Sequence, residues 1–177
     1  EYSAFGSDLL LEPGSSSRYR SKDGNDMNLY IQSGSSWIVQ TPEGKNLIFG
    51  ATTTSRIADP MDPKKIYAWF LNEENDAFGH RIRYAYFQDG WQSYISDILY
   101  GYDPTGDSPL YQIHFDYIDK WASLTSYRTQ FEISTKKVLS HVTLKVDGKA
   151  MHTYTLSYDN LDTPISHLMS ISESAGS

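Results

Sequence analysis

The side chains in this chain that could carry chemistry are five histidines, one adjacent pair of glutamates, scattered aspartates and four tryptophans. His80 ends a turn, while His114, His141, His152 and His167 fall on or beside expected strands. Neutral imidazole is a common zinc ligand. His141 and His152 flank the turn at 147–149 and read as cross-strand neighbours offset by a residue or two. Zinc needs a third and fourth ligand within reach, and the sequence nominates neither. The histidines are therefore expected as exposed or hydrogen-bonded sheet residues, with no metal site. Glu73 and Glu74 have the residue types of a glycosidase pair, but neighbours on a strand point to opposite faces and cannot share one substrate. Asp23, Asp26, Asp59 and Asp62 lack the alternating oxygen ligands and closing Glu of a calcium loop, so they read as turn formers. There is no G-x-S-x-G elbow and no phosphate-binding loop. The chain has no cysteine, which excludes disulfides, thiolate catalysis and cysteine zinc sites. No catalytic residue and no cofactor is expected.

The tryptophans leave two readings open. Trp37 and Trp69 sit in strands and read as core. Trp91, in QDGWQS, and Trp121, in IDKWAS, sit in expected loops and are the candidate ligand or partner contacts. They could stack on sugar rings, or they could pack against other parts of a scaffold.

Those side chains must be held by something, and composition says a sheet. Fourteen Tyr, four Trp and seven Phe make 14% of the 177 residues aromatic, a composition that suits pleated, half-buried surfaces. A domain of this length buries roughly 70% of its unfolded surface and needs no staples. The net charge of −7, with acids and bases interspersed, argues against nucleic acid, which calls for a basic stripe, and against an anionic membrane surface. No apolar run approaches the ~20 residues that span a bilayer, and no signal peptide is visible at the start. The chain opens on Glu1, as an excised segment would.

Residues 1–26 read as an irregular N-terminal segment, 27–173 as one β-rich domain, and 174–177 as a frayed tail. Expected strands cover 27–32, then a hairpin of 37–41 and 46–49. The loop 51–65 follows, where two Asp-Pro steps are expected to forbid regular pairing. Three aromatic strands are expected at about 67–73, 81–87 and 94–100. In the middle one, alternation puts Ile82, Tyr84 and Tyr86 on one face and Arg81, Arg83 and Ala85 on the other. A strand over 111–117 precedes a stretch, 119–130, that reads as a helical turn or a crossing loop. Strands at 131–134 and 138–146 follow, then the Asp147-Gly148 turn, the strongest hairpin signal in the chain, and its return strand 150–158. A last strand is expected at 165–172. Roughly ten antiparallel strands and little or no helix make an all-β stacked sheet or sandwich. A loose internal repeat, RIRYAYFQDGWQSYISDILYG against HTYTLSYDNLDTPISHLMSIS, favours stacking.

The order of these motifs resembles a known family. RIADPMDPKKIYAWFLNEENDAFGHRIRYAYF is similar to a proline loop, aromatic strand, D-x-x-G-N/H turn and I-x-Y-x-Y strand of the SpvB-like region. That region occurs in virulence-plasmid B proteins and in the B component of insecticidal toxin complexes. WIVQTPEGKNLIFG, YISDILYGY and SYRTQFEISTKKVLSHVTLKVDGKAMHTYTLSYD extend the resemblance over about residues 27–173. The turn and strand also resemble tyrosine–aspartate repeat proteins that build hollow β-shells. The resemblance implies a non-catalytic, secreted bacterial scaffold segment that packs against or encloses other protein parts. Its implied partners are other domains of the same polypeptide or toxin-complex subunits. Where such proteins carry an ADP-ribosyltransferase it is a separate C-terminal domain, and its Arg…Ser-Thr-Ser…Glu-x-Glu series is not found here. The reading from another class is an extracellular carbohydrate-binding β-sandwich.

Overall fold

A computed structural model describes residues 2–24, 26–103 and 108–176. Its main element is one antiparallel sheet of thirteen strands, which confirms the all-β class and exceeds the expected strand number. The chain enters through β1 (Tyr2–Ala4), β2 (Ser7–Leu11), β3 (Arg18–Ser21), β4 (Leu29–Ser33), β5 (Ser36–Gln40) and β6 (Asn46–Phe49). It then leaves the sheet for a 3₁₀ turn (Thr53–Ser55) and a two-stranded ribbon of β7 (Arg56–Asp59) and β8 (Asp62–Trp69). It rejoins at β9 (Leu71–Asn75), which pairs with β6, and runs on through β10 (Arg81–Asp89), β11 (Gln92–Tyr102), β12 (Pro109–Ser126), β13 (Ile133–Val146), β14 (Lys149–Tyr158) and β15 (Leu168–Ala175). Apart from that excursion, each strand pairs with the next in sequence.

Turn chemistry sets this meander. Asp147 and Gly148 both take positive φ, 50° and 74°, as a two-residue hairpin loop requires, and Val146 pairs directly with Lys149. Between β9 and β10, Asp76 Oδ1 accepts from the backbone N–H groups of Phe78 and His80, and Gly79 supplies φ 87°.

Several expectations are corrected. Residues 1–26 hold β1 to β3 and contribute Leu9 to the core. Strands of three to five residues are too short to show alternation, so the Ser/Gly-rich turns between them dominated the reading. The proline loop forms the β7–β8 ribbon instead of a pairing-free segment. Pro60 lies in its turn, and Pro63 stands in a two-stranded edge where a missing N–H is tolerated. The strand expected at 67–73 is split at Phe70, with Trp69 in the ribbon and Leu71 in the main sheet. Residues 119–126 continue β12 through an irregular register between Asp119 and Leu124, so neither a helical turn nor a loop forms there. The strands expected at 131–134 and 138–146 are one strand, β13. Ser174 and Ala175, placed in the frayed tail, pair with Thr153 and His152.

The core is off-centre. Leu9, Tyr30, Trp37 and Val39 form its buried heart, flanked by Tyr2, Tyr19, Leu47, Phe49 and Trp69. At the opposite end, every residue of β15 is exposed.

Candidate functional site

Trp37 and Trp69 do what their strand positions suggested. Trp37 is buried and meets the rings of Tyr2, Tyr19 and Trp69 edge-on at centroid distances of 4.9, 5.2 and 6.1 Å. Such edge-to-face pairs add to area burial and leave no flat ring free for a sugar. Trp69 Nε1 donates to the carbonyl of Ser35 at 2.9 Å, tying the ribbon to the β4–β5 turn.

The other two tryptophans lie at the surface. Trp91 sits in the β10–β11 turn and is 48% exposed, while Trp121, in the irregular part of β12, is 90% exposed. Lys137 brings their segments to one end of the sheet. Its ammonium lies 2.5 Å from Asp119 and 3.8 Å from Asp89, each two residues from one of the tryptophans. The backbone N–H of Trp121 donates to Leu161, which anchors the protruding segment to the loop before β15.

A hollow of about 560 Å³ opens beside the aromatic core, between β1 and β8. Its floor is apolar, made by Leu9, Tyr30, Val39 and Phe49. A second hollow of about 360 Å³ adjoins it through Tyr2, Ile66 and Trp69, with Gln32, Lys64 and Lys65 at its rim.

The histidines are not brought together. His141 pairs opposite Thr155 and His152 opposite Leu144, so the two are offset by three positions and face opposite sides of the sheet. The register shift between Leu144 and Lys145 is what the count from the turn missed. Four histidines instead meet carboxylates: His80 with Asp76 at 2.7 Å, His114 with Asp97 at 2.7 Å, His152 with Glu173 at 2.9 Å, and His167 with Asp159 at 3.2 Å. The sequence reading named none of these partners, although Asp76 and Asp159 open turns that His80 and His167 close.

The most elaborate of them is at β11–β12. His114 Nδ1 faces Asp97 and its Nε2 lies 3.3 Å from Asp116, while Gln112 donates to Asp97 at 2.6 Å. Burial raises the Asp97 carboxyl, but hydrogen bonds from His114, Gln112 and Ser96 outweigh it and hold the group below the usual aspartate range. The contact order is hydroxyl to carboxylate to imidazole, so Ser96 is not offered to the base as a nucleophile would be. Glu73 and Glu74 are claimed by different cations, Arg83 at 3.0 Å and Lys45 at 2.6 Å. Among the described residues, no group of three or more His, Asp or Glu converges as a metal cluster would.

Comparison with known proteins follows the fold. Residues 17–100 match the model of a family described as SpvB, Salmonella virulence plasmid 65kDa B protein. No curated protein matches the chain. Among solved structures, the N-terminal domain of effector protein SpvB from Salmonella typhimurium strain LT2 superposes with TM-score 0.78 at 18% identity, over 89% of this chain and 68% of that one. The TcdB2-TccC3-Cdc42 structure matches with TM-score 0.75 at 18% identity, over 88% of this chain. The Photorhabdus luminescens Tc holotoxin pore matches with TM-score 0.64 at 16% identity, over 80% of this chain. The chain spans only 10% and 9% of those two toxin chains. Residues 17–100 are thus similar in sequence to the SpvB family, and the all-β fold over most of the chain is similar to that of the SpvB N-terminal domain and of part of the TcdB2-TccC3-Cdc42 structure.

Proposed function

We propose that the chain is a non-catalytic β-scaffold segment of a secreted, toxin-related bacterial protein, and that it works by packing against or enclosing other protein parts. The observation that carries this reading is the C-terminal end of the sheet. Leu168, Met169 and Ile171 on β15 are 48%, 67% and 59% exposed, and Met151 and Tyr154 on β14 add to the apolar surface. Ile171 pairs across to Leu156, so its face already has an apolar neighbour and lacks only a covering layer. Covering such side chains yields about 1.5 to 3 kcal/mol each. The likeness to parts of multi-component toxin structures supplies the context, with the partners being other domains of the polypeptide or toxin-complex subunits. Among the described residues no helix is long and apolar enough to cross a membrane.

The test is Met169→Glu combined with Ile171→Glu. Both side chains are exposed, so the circular dichroism of the chain stays as in the wild type, while its association with the rest of its toxin assembly falls at least a hundredfold. Unchanged association defeats the reading.

The exposure of Trp121, with Trp91 at the same end of the sheet, favours a second reading as a carbohydrate-binding module. Glycan-array binding that disappears on Trp91→Ala or Trp121→Ala would put this reading in place of the scaffold.

A further inference from the structure

Strands β10 to β15 form a sheet with two unlike faces, and the pairing ladders fix which residue lies on which. Directly paired residues share a face, so Tyr84, Ile98, Ile113 and Leu144 make one continuous row from β10 to β13. Two residues along each strand, Ile82, Tyr100, Tyr111 and Val146 make a second row on the same face. The rings of Tyr100 and Tyr111 stack there at 5.0 Å. Beyond Leu144 the face continues through the Val142–Tyr154 pair to the Leu156–Ile171 pair. The other face is mainly polar. Its central row runs Asp97, His114, Thr143, Thr153 and Ser174, and hydroxyl residues also pair at Thr155–Ser172 and Ser157–Ser170. All eight residues of the two apolar rows are only half-buried, and none joins the buried core, which lies among the N-terminal strands.

We infer that the apolar face of β10 to β15 seats the same face of a second copy of this chain, so that the two sheets close into a sandwich. Charge sets this choice. The two apolar rows carry none, and charges at the margins are already matched: Glu74, opposite Ile82, pairs with Lys45, and Glu173, opposite Tyr154, meets His152. The face therefore offers no charge for a different partner to complement, and it sets no like charges together when it meets itself. Size agrees. Six strands at about 4.8 Å spacing make a face about 24 Å wide, twice the roughly 10 to 12 Å of a helix, so a sheet covers it and one helix does not. Over about 20 Å of strand length, closure at sheet-packing distance removes on the order of 600 Å² or more from each copy, as a standard stable interface does. The rest of the surface, in a chain of net charge −7, repels its copy, so the association is apolar in origin and salt strengthens it. The inference goes beyond the scaffold reading, which calls for other protein parts against β15. The variants that test it lie on β11 to β14, so the two fail separately.

The test is sedimentation equilibrium of the 177-residue chain, which should show a monomer–dimer equilibrium that tightens as salt rises. Ile113→Lys places an ammonium at the centre of the apolar face and should weaken the dimer at least tenfold. Thr155→Lys, on the polar face, should leave it unchanged. Because the chain has no cysteine, a single introduced thiol reports on each face without adding a charge that could disturb folding. As concentration rises through the dimer range, the thiol of Ile98→Cys should react with maleimide at least tenfold more slowly, and that of Thr143→Cys at a constant rate. A chain that stays monomeric, a dimer that weakens with salt, equal loss in the two lysine variants, or a constant labelling rate for Ile98→Cys would each overturn the inference. So would protection of the Thr143→Cys thiol alone, because the copies would then meet through the polar face.

Discussion

Gly50 turns the chain out of β6 at φ +66°, and a Cβ at that position would run into Cδ1 of Trp69. Gly34 has a similar φ, +60°, with nothing near its missing side chain. Gly50→Ala therefore combines backbone strain with a clash against a core ring and should cost about 2 to 4 kcal/mol. Gly34→Ala carries only the strain, about 1 kcal/mol, and paired urea titrations separate the two. The tryptophans divide in the same way. Trp37→Ala empties the core and should cost about 3 to 5 kcal/mol, whereas Trp121→Ala should stay within about 0.5 kcal/mol. Asp97 gives a pH signature. Its carboxyl is depressed in the folded state, so its contribution is present above the ordinary aspartate value of 3.8 and is lost as pH falls through the folded value. Asp97→Asn should thus lower stability near neutrality by about 1 kcal/mol, discounted for partial solvent screening, and the gap should close below pH 3.8. Stability curves of the two proteins against pH check the sign.

At the scale of elements, protection should follow burial. The amides of β4 and β5, around Tyr30 and Trp37, should exchange slowest, and those of β15, exposed throughout and paired only with β14, fastest among the strands. A uniform exchange profile would contradict that placement of the core. The elements also show what a sequence reveals. Hairpins with strong turn chemistry were legible: β5–β6 across Gly44, β10–β11 across Gly90, and β13–β14 across Asp147-Gly148. Register was not. Bulges within the β12–β13 and β13–β14 ladders shift the pairing, and no local pattern announces where an extra residue is absorbed. The ribbon was hidden because two prolines suppress the strand signal even where a two-stranded edge tolerates them. The aromatic core was half legible, since Trp37 and Trp69 were assigned to it. Its N-terminal contributors, Tyr2, Leu9 and Tyr19, sit in strands too short to declare a period.

The molecule as a whole is lopsided. Its N-terminal strands wrap an aromatic core with the β7–β8 ribbon, while its C-terminal strands extend the sheet with apolar side chains left in solvent. An open sheet of this kind is expected to find a covering layer or to pair at its edges. Among the described residues, His80, His114, His152 and His167 meet carboxylates at separate places along the sheet. Hydrogen exchange of β14 and β15, measured in the chain alone and again with the proposed partner domains or toxin-complex subunits, tests the proposed scaffold role most directly. The account predicts that amides of 149–158 and 168–175 become protected at least tenfold on assembly. Exchange in those strands that is the same in both states would contradict it.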